Sequence, residues 1–134
     1  MATGNLQWID VIGKLIKLTK DRKLVWEVGQ QLYAIGQENE ERIESIFYTT
    51  YKDKKIRIYK RTYKAYRTPR SIPGISRQPR SYIESQIVLE FVNDDGLTLW
   101  RFPELDMTRD LLSSIQYRVA NVGQFLDDIL NEKV

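Results

Sequence analysis

The chain contains no histidine and no cysteine, and only four of its 134 residues are proline. Without those two residue types, Ser–His and Cys–His nucleophile pairs cannot exist. Zinc is disfavoured because its protein ligands are mostly His and Cys. Disulfides are excluded as well, and acid–base chemistry would fall to Asp, Glu, Lys or Tyr. These absences favour a binding protein over an enzyme, and we predict no catalytic residue, no metal and no cofactor.

Long hydrophobic runs are also missing. No apolar stretch approaches the roughly 20 residues that a membrane-spanning helix needs. The first five residues lack the basic start and apolar stretch of a signal peptide, and position 2 is Ala rather than the Gly of a myristoylation signal. We therefore expect a cytoplasmic protein that makes no membrane contact. The length predicts one domain spanning residues 1–134.

What the sequence does have is a concentrated positive charge. Residues 52–80 contain 11 of the 21 Lys and Arg but only one of the 18 acidic residues, Asp53, and so carry a net charge of +10. The rest of the chain has ten basic and 17 acidic residues, a net charge of −7. Such a segment attracts polyanions and acidic surfaces.

Hydrophobic periodicity predicts the elements. An apolar repeat over residues 9–16, with Asn5 as its cap, indicates an N-terminal helix. Alternation over 24–28 indicates a short strand, and two hairpins follow, 44–66 and 85–102. The first hairpin is expected to turn at Lys52-Asp53-Lys54, and the second at Asn93–Gly96, with Gly96 left-handed. Asp106 or Thr108 is expected to cap a helix.

A last short helix is predicted after Gly123. Its apolar residues fall at helical spacing and form one stripe, which we expect to pack on the sheet: Val122, Phe125, Leu126, Ile129 and Leu130. Segregated strands and helices predict an α+β fold. The sheet would be antiparallel, built of the two hairpins plus the short strand. The N-terminal helix and two C-terminal helices would cover one of its faces.

Three segments carry a resemblance: Leu18-Thr19 with Lys23–Glu27, Leu99–Glu104, and Phe125–Leu130. With the predicted helix and hairpins, they make the chain resemble small uncharacterised bacterial α+β proteins. The resemblance covers most of the chain and rests on core and turn residues. It implies the fold but no activity.

The charged segment becomes a surface if residues 55–67 form a strand, because strand side chains alternate between faces. Ile56 and Ile58 then share one face, and Arg57, Tyr59 and Arg61 share the other. With a two-residue turn at Asp53-Lys54, Tyr48 would lie opposite Tyr59, Thr50 opposite Arg57 and Ile46 opposite Arg61. Cations beside aromatic rings are the combination that holds single-stranded nucleic acid. Equally, a strand wet on one face needs polar residues there, and basic side chains discourage edge aggregation.

Three prolines and a glycine predict a loop at 67–80, which adds four arginines. Long loops often carry function, but this one is also consistent with a flexible, solubilising connector. The candidate binding residues are Tyr48, Lys55, Arg57, Tyr59, Arg61, Tyr63, Arg67, Arg70, Arg77 and Arg80. We predict that they bind RNA or single-stranded DNA; the alternative is an adaptor that docks an acidic protein. The oligomeric state is left open.

The paired carboxylates give no metal site. Asp94-Asp95 belongs to a predicted turn, where Asp is favoured for its backbone hydrogen bonds. Asp127-Asp128 belongs to a predicted helix, where neighbouring residues do not share a face.

Overall fold

The computed structural model describes residues 2–29, 41–67 and 80–133, with the side chains of residues 2–5 and 67 left out. Its elements in order are α1 (Ala2–Lys20), β1 (Glu27–Val28), β2 (Arg42–Tyr51), β3 (Lys54–Arg67), β4 (Arg80–Val92), β5 (Thr98–Arg101), α2 (Met107–Val119) and α3 (Val122–Leu130). The five strands form one antiparallel sheet in the order β1-β2-β3-β4-β5. The predicted α+β class is confirmed.

The turn between β2 and β3 lies within the predicted Lys52–Lys54 segment. Lys52 and Asp53 both have positive φ, 44° and 68°, and Tyr51 pairs with Lys54. Two positive φ values are typical of the two-residue turn that matches strand twist. The turn is therefore Lys52-Asp53, and the register that assumed a turn at Asp53-Lys54 is wrong.

Compared with a turn at Asp53-Lys54, this turn moves the partners of residues 47–51 by two positions. Tyr48 lies opposite Arg57 rather than Tyr59, and Thr50 lies opposite Lys55. A bulge then follows between Glu44 and Phe47, where Ser45 has φ 57°. The extra residue brings Ile43, and not Ile46, opposite Arg61.

The β4–β5 turn is as predicted. The Gly96 amide donates to the Asn93 carbonyl (3.0 Å), and Gly96 has φ 83°, a conformation that L-residues rarely adopt. The Asn93 side-chain oxygen accepts hydrogen bonds from the Asp95 and Leu97 amides at 3.0 and 2.9 Å. The Asn thus closes the turn that the Gly permits.

The main core lies between the sheet and the helices α1 and α2. Ile56 and Ile58 point to this side, which we call the helix-side face, and meet Ile12 and Leu15 of α1. The remaining buried members are Leu24, Trp26, Phe47, Ile87, Leu89, Phe102, Leu111, Leu112 and Ile115. Trp8 stacks on Trp100 of β5, with ring centroids 5.2 Å apart, and ties α1 to the sheet edge.

Of the predicted helix caps, Asn5 is wrong and Asp106 is confirmed in position. The helix α1 begins at Ala2, so Asn5 lies within it. Asp106 occupies the cap position of α2 but makes no side-chain capping hydrogen bond. Thr108 is inside the helix and buried, and its hydroxyl has no hydrogen-bond partner among the described residues.

The opposite side of the sheet, which we call the far face, has a smaller core of its own. Ile43, Ile46, Tyr59 and Val88 are buried there, with Tyr48 packed beside them. Ile43 and Ile46 share this face because of the bulge at Ser45. The centre of the sheet is therefore buried on both faces, whereas the sequence predicted one wet face.

The C-terminal stripe is not core. The helix α3 has no buried residue, and Phe125 is 63 % exposed. The expected packing of the stripe on the sheet is wrong, because α3 lies against the end of α2 instead. An amphipathic stripe has the same spacing whether it faces a core or a partner.

Candidate functional site

The strands β3 and β4 pair without interruption from Lys55–Val92 to Arg67–Arg80. Their outer halves, residues 60–67 and 80–87, form a two-stranded ribbon that we call the arm. Arg109, in the first turn of α2, donates to the Ser85 carbonyl oxygen at 3.1 Å, which fixes α2 beside the arm. By alternation, Lys60, Lys64 and Ile83 lie on the helix-side face of the arm, and Arg61 and Tyr63 on its far face.

Arg57 is a structural residue rather than a surface cation. It is 1 % exposed and pairs with Glu90, its direct cross-strand neighbour. Its Nε and Nη2 donate to Glu90 Oε1 at 2.9 and 2.5 Å, and Nη1 donates to the Gly96 carbonyl at 3.0 Å. Thr98 donates to the other Glu90 oxygen at 3.0 Å. The prediction that Arg57 faces solvent is wrong, because a carboxylate on β4 neutralises it.

Tyr59 is also inside, only 2 % exposed, so it cannot stack on a nucleic-acid base. Desolvation raises the pKa of its phenol, and the Glu90 charge adds to the rise while nearby arginines oppose it. Burial acts to lower the pKa of Arg57, but its interactions with Tyr48 and Glu90 outweigh burial and raise it. Arg57, Tyr59 and Glu90 thus form a buried polar cluster on the far face.

Arg61 and Tyr63 remain at the surface of the arm. Arg61 is one-third exposed, pairs with Glu41, and lies over the Tyr63 ring, 4.4 Å from its centroid. Tyr63 donates to Glu84 at 2.8 Å, and this hydrogen bond is the main cause of the raised pKa of its phenol. The predicted pairing of a cation with an aromatic ring is therefore present here. Two carboxylates of the same chain already contact these residues, Glu41 at Arg61 and Glu84 at Tyr63.

Tyr48 and Lys55 are half-buried on the far face. The Lys55 Nζ lies 5.2 Å from the centroid of the Tyr48 ring. Gly29 makes room for this ring, because a Cβ at Gly29 would lie 2.3 Å from a Tyr48 ring carbon. The two residues border the buried cluster and do not belong to the arm.

The outer end of the arm brings two more predicted residues together. Arg67 and Arg80 are strand residues at directly opposed positions, so the predicted loop is shorter at both ends. On the same face, Tyr82 lies opposite Ala65 and is 39 % exposed. Arg70 and Arg77, with the rest of the predicted loop, lie outside the described residues.

Tyr82 is the residue that the sequence prediction missed. The predicted loop ends at Arg80 and the predicted second hairpin begins at Ser85, so Tyr82 falls between them. The available signal is strand propensity, because Tyr82 and Ile83 are both residue types enriched in strands.

The arm is distinguished from the centre of the sheet by its positive net charge. The arm carries five basic residues and one acid: Lys60, Arg61, Lys64, Arg67 and Arg80 against Glu84. Within the described ranges, no group of three or more carboxylates could hold a metal ion, and none of the helices they contain is long and apolar enough to cross a bilayer. The arrangement offers cations beside half-exposed rings along two extended strands.

Comparisons with known proteins place the chain in no family: no family model matches it, and neither the curated proteins nor the solved structures contain a match.

Proposed function

We propose that this protein is a non-enzymatic, cytoplasmic binding module that holds single-stranded RNA or DNA on the far face of the arm. Proteins hold single strands by combining cations for the phosphates with aromatic rings on which bases stack. The far face of the arm has both kinds of residue. They are Arg61, Tyr63, Arg67, Arg80 and Tyr82.

The observation that carries the proposal is the end of the arm. Arg67 and Arg80 occupy opposed positions in the ladder, with the Ala65–Tyr82 pair two positions inward on the same face. A phosphate bound at this end of the ladder would meet the positive charge of Arg80, opposite the position that Arg67 occupies. Tyr82 is 39 % exposed and would offer its ring as a stacking surface beside the phosphate.

The second candidate is an adaptor that docks an acidic protein on the same face. It is favoured by the two carboxylates that the chain itself places there. Glu41 pairs with Arg61, and Glu84 accepts a hydrogen bond from Tyr63. An acidic peptide could replace both contacts.

Fluorescence anisotropy with labelled oligouridylate and oligothymidylate, at about 50 and about 200 mM salt, tests the first candidate. Affinity should fall log-linearly with salt, and Arg80→Gln should reduce the slope by about 0.7, the value for one lost phosphate contact on a single strand. Lys14→Gln is the matched control, since it removes the same charge from an exposed site on α1. If Lys14→Gln reduced the salt slope as much as Arg80→Gln, the oligonucleotide would be held by non-specific electrostatic attraction and not by the arm, which contradicts the proposal.

Stacking has its own test. Tyr82→Ala should weaken binding by about 1–3 kcal/mol while leaving the salt slope unchanged. Tyr117→Ala, which removes an exposed ring from α2, is the control. If oligoglutamate binds as tightly as oligouridylate and Tyr82→Ala weakens neither, the adaptor candidate replaces the first. Absence of oligonucleotide binding at low salt also eliminates the first candidate.

A further inference from the structure

The helix α3 presents an apolar stripe that the described part of the chain leaves uncovered. Phe125, Leu126, Ile129 and Leu130 are all exposed, and none of the nine residues is buried. Side chains of this size at one helical face are the usual anchors of a helix that docks in a groove. The question is which surface receives them.

The charge of α3 restricts the answer. The helix α3 contains Asp127 and Asp128 and no basic residue. Two such helices side by side would bring two negative charges against two. A surface that receives α3 should therefore combine exposed apolar side chains with positive charge.

The helix-side face of the arm has this combination. Ile83 is 79 % exposed there, and Tyr66 is exposed beside it. Lys60 and Lys64 lie on the same face, as do Arg42 and Glu44 of β2, which lie opposite Thr62 and Lys60. It is also the outer continuation of the face that α1 and α2 cover in the centre of the sheet. A helix docked on it would complete the helical layer over the sheet, which is the packing this fold class uses.

The arm of the same molecule does not receive α3. The first turn of α2 touches the arm through Arg109, whereas α3 follows the other end of α2, about 18 Å away for 13 helical residues. The first turn of α3 instead lines a cavity of about 360 Å³ shared with Trp26 and Tyr117. Ile83 and the stripe are both exposed within one chain.

We propose that the protein forms a twofold dimer in which α3 of each copy docks on the helix-side face of the other copy's arm. The contact is reciprocal, so two identical contacts close the assembly. Each contact buries Phe125 and its neighbours against Ile83 and Tyr66, with the carboxylates of α3 facing Lys60 and Lys64. The face used is opposite to the one assigned to nucleic acid, and the dimer does not depend on that assignment.

Sedimentation velocity on the wild-type chain at low salt should give twice the chain mass of 15.9 kDa. Phe125→Glu on α3 and Ile83→Glu on the arm should each raise the dimer dissociation constant at least tenfold. Both sites are exposed, so neither variant should unfold the monomer. Leu97→Glu is the matched control, because it alters an exposed apolar residue in the β4–β5 turn and should leave the dimer intact.

Mixing the two variants sharpens the result. A Phe125→Glu copy keeps a normal arm and an Ile83→Glu copy keeps a normal α3, so an equimolar mixture should regain one of the two contacts and associate more tightly than either variant alone. A monomeric wild type at tens of micromolar would overturn the proposal. A dimer that survives Ile83→Glu would also overturn it by placing α3 against α3, and one that survives Phe125→Glu would do so by excluding α3.

Discussion

The inner and outer halves of β3 have similar sequences but different surroundings. Residues 55–59 and 60–67 both combine basic with aromatic and apolar side chains. In the inner half, Arg57 and Tyr59 are buried and Glu90 neutralises the guanidinium. In the outer half, Arg61 and Tyr63 are at the surface, and the ladder ends with two opposed arginine positions. The same residue types therefore stabilise the core at one end of a strand and lie at the surface at the other.

The largest effect expected from this difference concerns the buried ion pair. Glu90→Ala leaves Arg57 charged, buried and without its carboxylate, which should cost about 3–5 kcal/mol of unfolding free energy. Arg101→Ala is the control, because its guanidinium lies 3.8 Å from Glu90 but is half exposed, and it should cost no more than about 1 kcal/mol. Urea denaturation measures both. Equal losses would mean that the inner half is no more structural than the surface.

Two isoleucines allow the stability of the sheet centre and of the arm to be compared without a change of charge. Ile58 is fully buried on the helix-side face of the sheet centre, and Ile83 is exposed on the same face of the arm. Ile58→Ala should cost about 2–5 kcal/mol, whereas Ile83→Ala should stay within about 0.5 kcal/mol. Urea titrations at a protein concentration and salt at which the chain is monomeric give both values. A large cost at Ile83 would show that the arm is packed.

The Gly96 turn supports the inner half directly, since its carbonyl accepts a hydrogen bond from Arg57. At φ 83°, Gly96→Ala forces a left-handed L-residue and should cost about 1–2 kcal/mol. Gly123→Ala in α3 is a control of opposite sign. Its Cβ would meet only the Tyr117 hydroxyl at 3.7 Å, and Ala should stabilise the helix by about 0.5–1 kcal/mol. Thermal melts of the two variants should shift in opposite directions.

The smallest effect is a pH dependence. The folded pKa of Tyr59 is raised, chiefly by desolvation, so its contribution to stability is complete below the ordinary phenol pKa of about 10 and is lost as pH rises through the folded value. Unfolding free energy should therefore fall above about pH 10, and Tyr59→Phe should flatten that fall. Wild type and variant compared at neutral pH, where both are uncharged at this site, supply the baseline. Identical slopes in both chains would contradict a buried phenol.

The fold class could be predicted because its signals are local. Apolar alternation identified Ile56 and Ile58 as the face beneath the helices, and Asn93 with Gly96 specified the second turn. Those features depend on residues within a few positions of one another.

The site could be predicted only in part, because its partners are distant in sequence. Arg57 is neutralised by a residue 33 positions away, and only the β3–β4 register brings them together. That register and the bulge at Ser45 also decide which side chains share the far face. The first turn has positive φ at Lys52 and Asp53. Because neither residue is glycine, the sequence did not indicate which two residues form the turn. The apolar stripe of α3 has the spacing of a core helix, and only the structure shows it exposed.

The central claim is that the arm binds nucleic acid while the buried polar cluster at the centre of the sheet does not. NMR spectra of the arginine Nε–Hε groups, recorded while oligouridylate is added, test it most directly. The Arg57 signal should be protected by its 2.9 Å hydrogen bond to Glu90 and should stay in place, whereas the Arg61 and Arg80 signals should shift in proportion to the bound fraction. A shift of the Arg57 signal as large as those of the arm arginines, or no shift of the arm signals at saturation, would contradict the account.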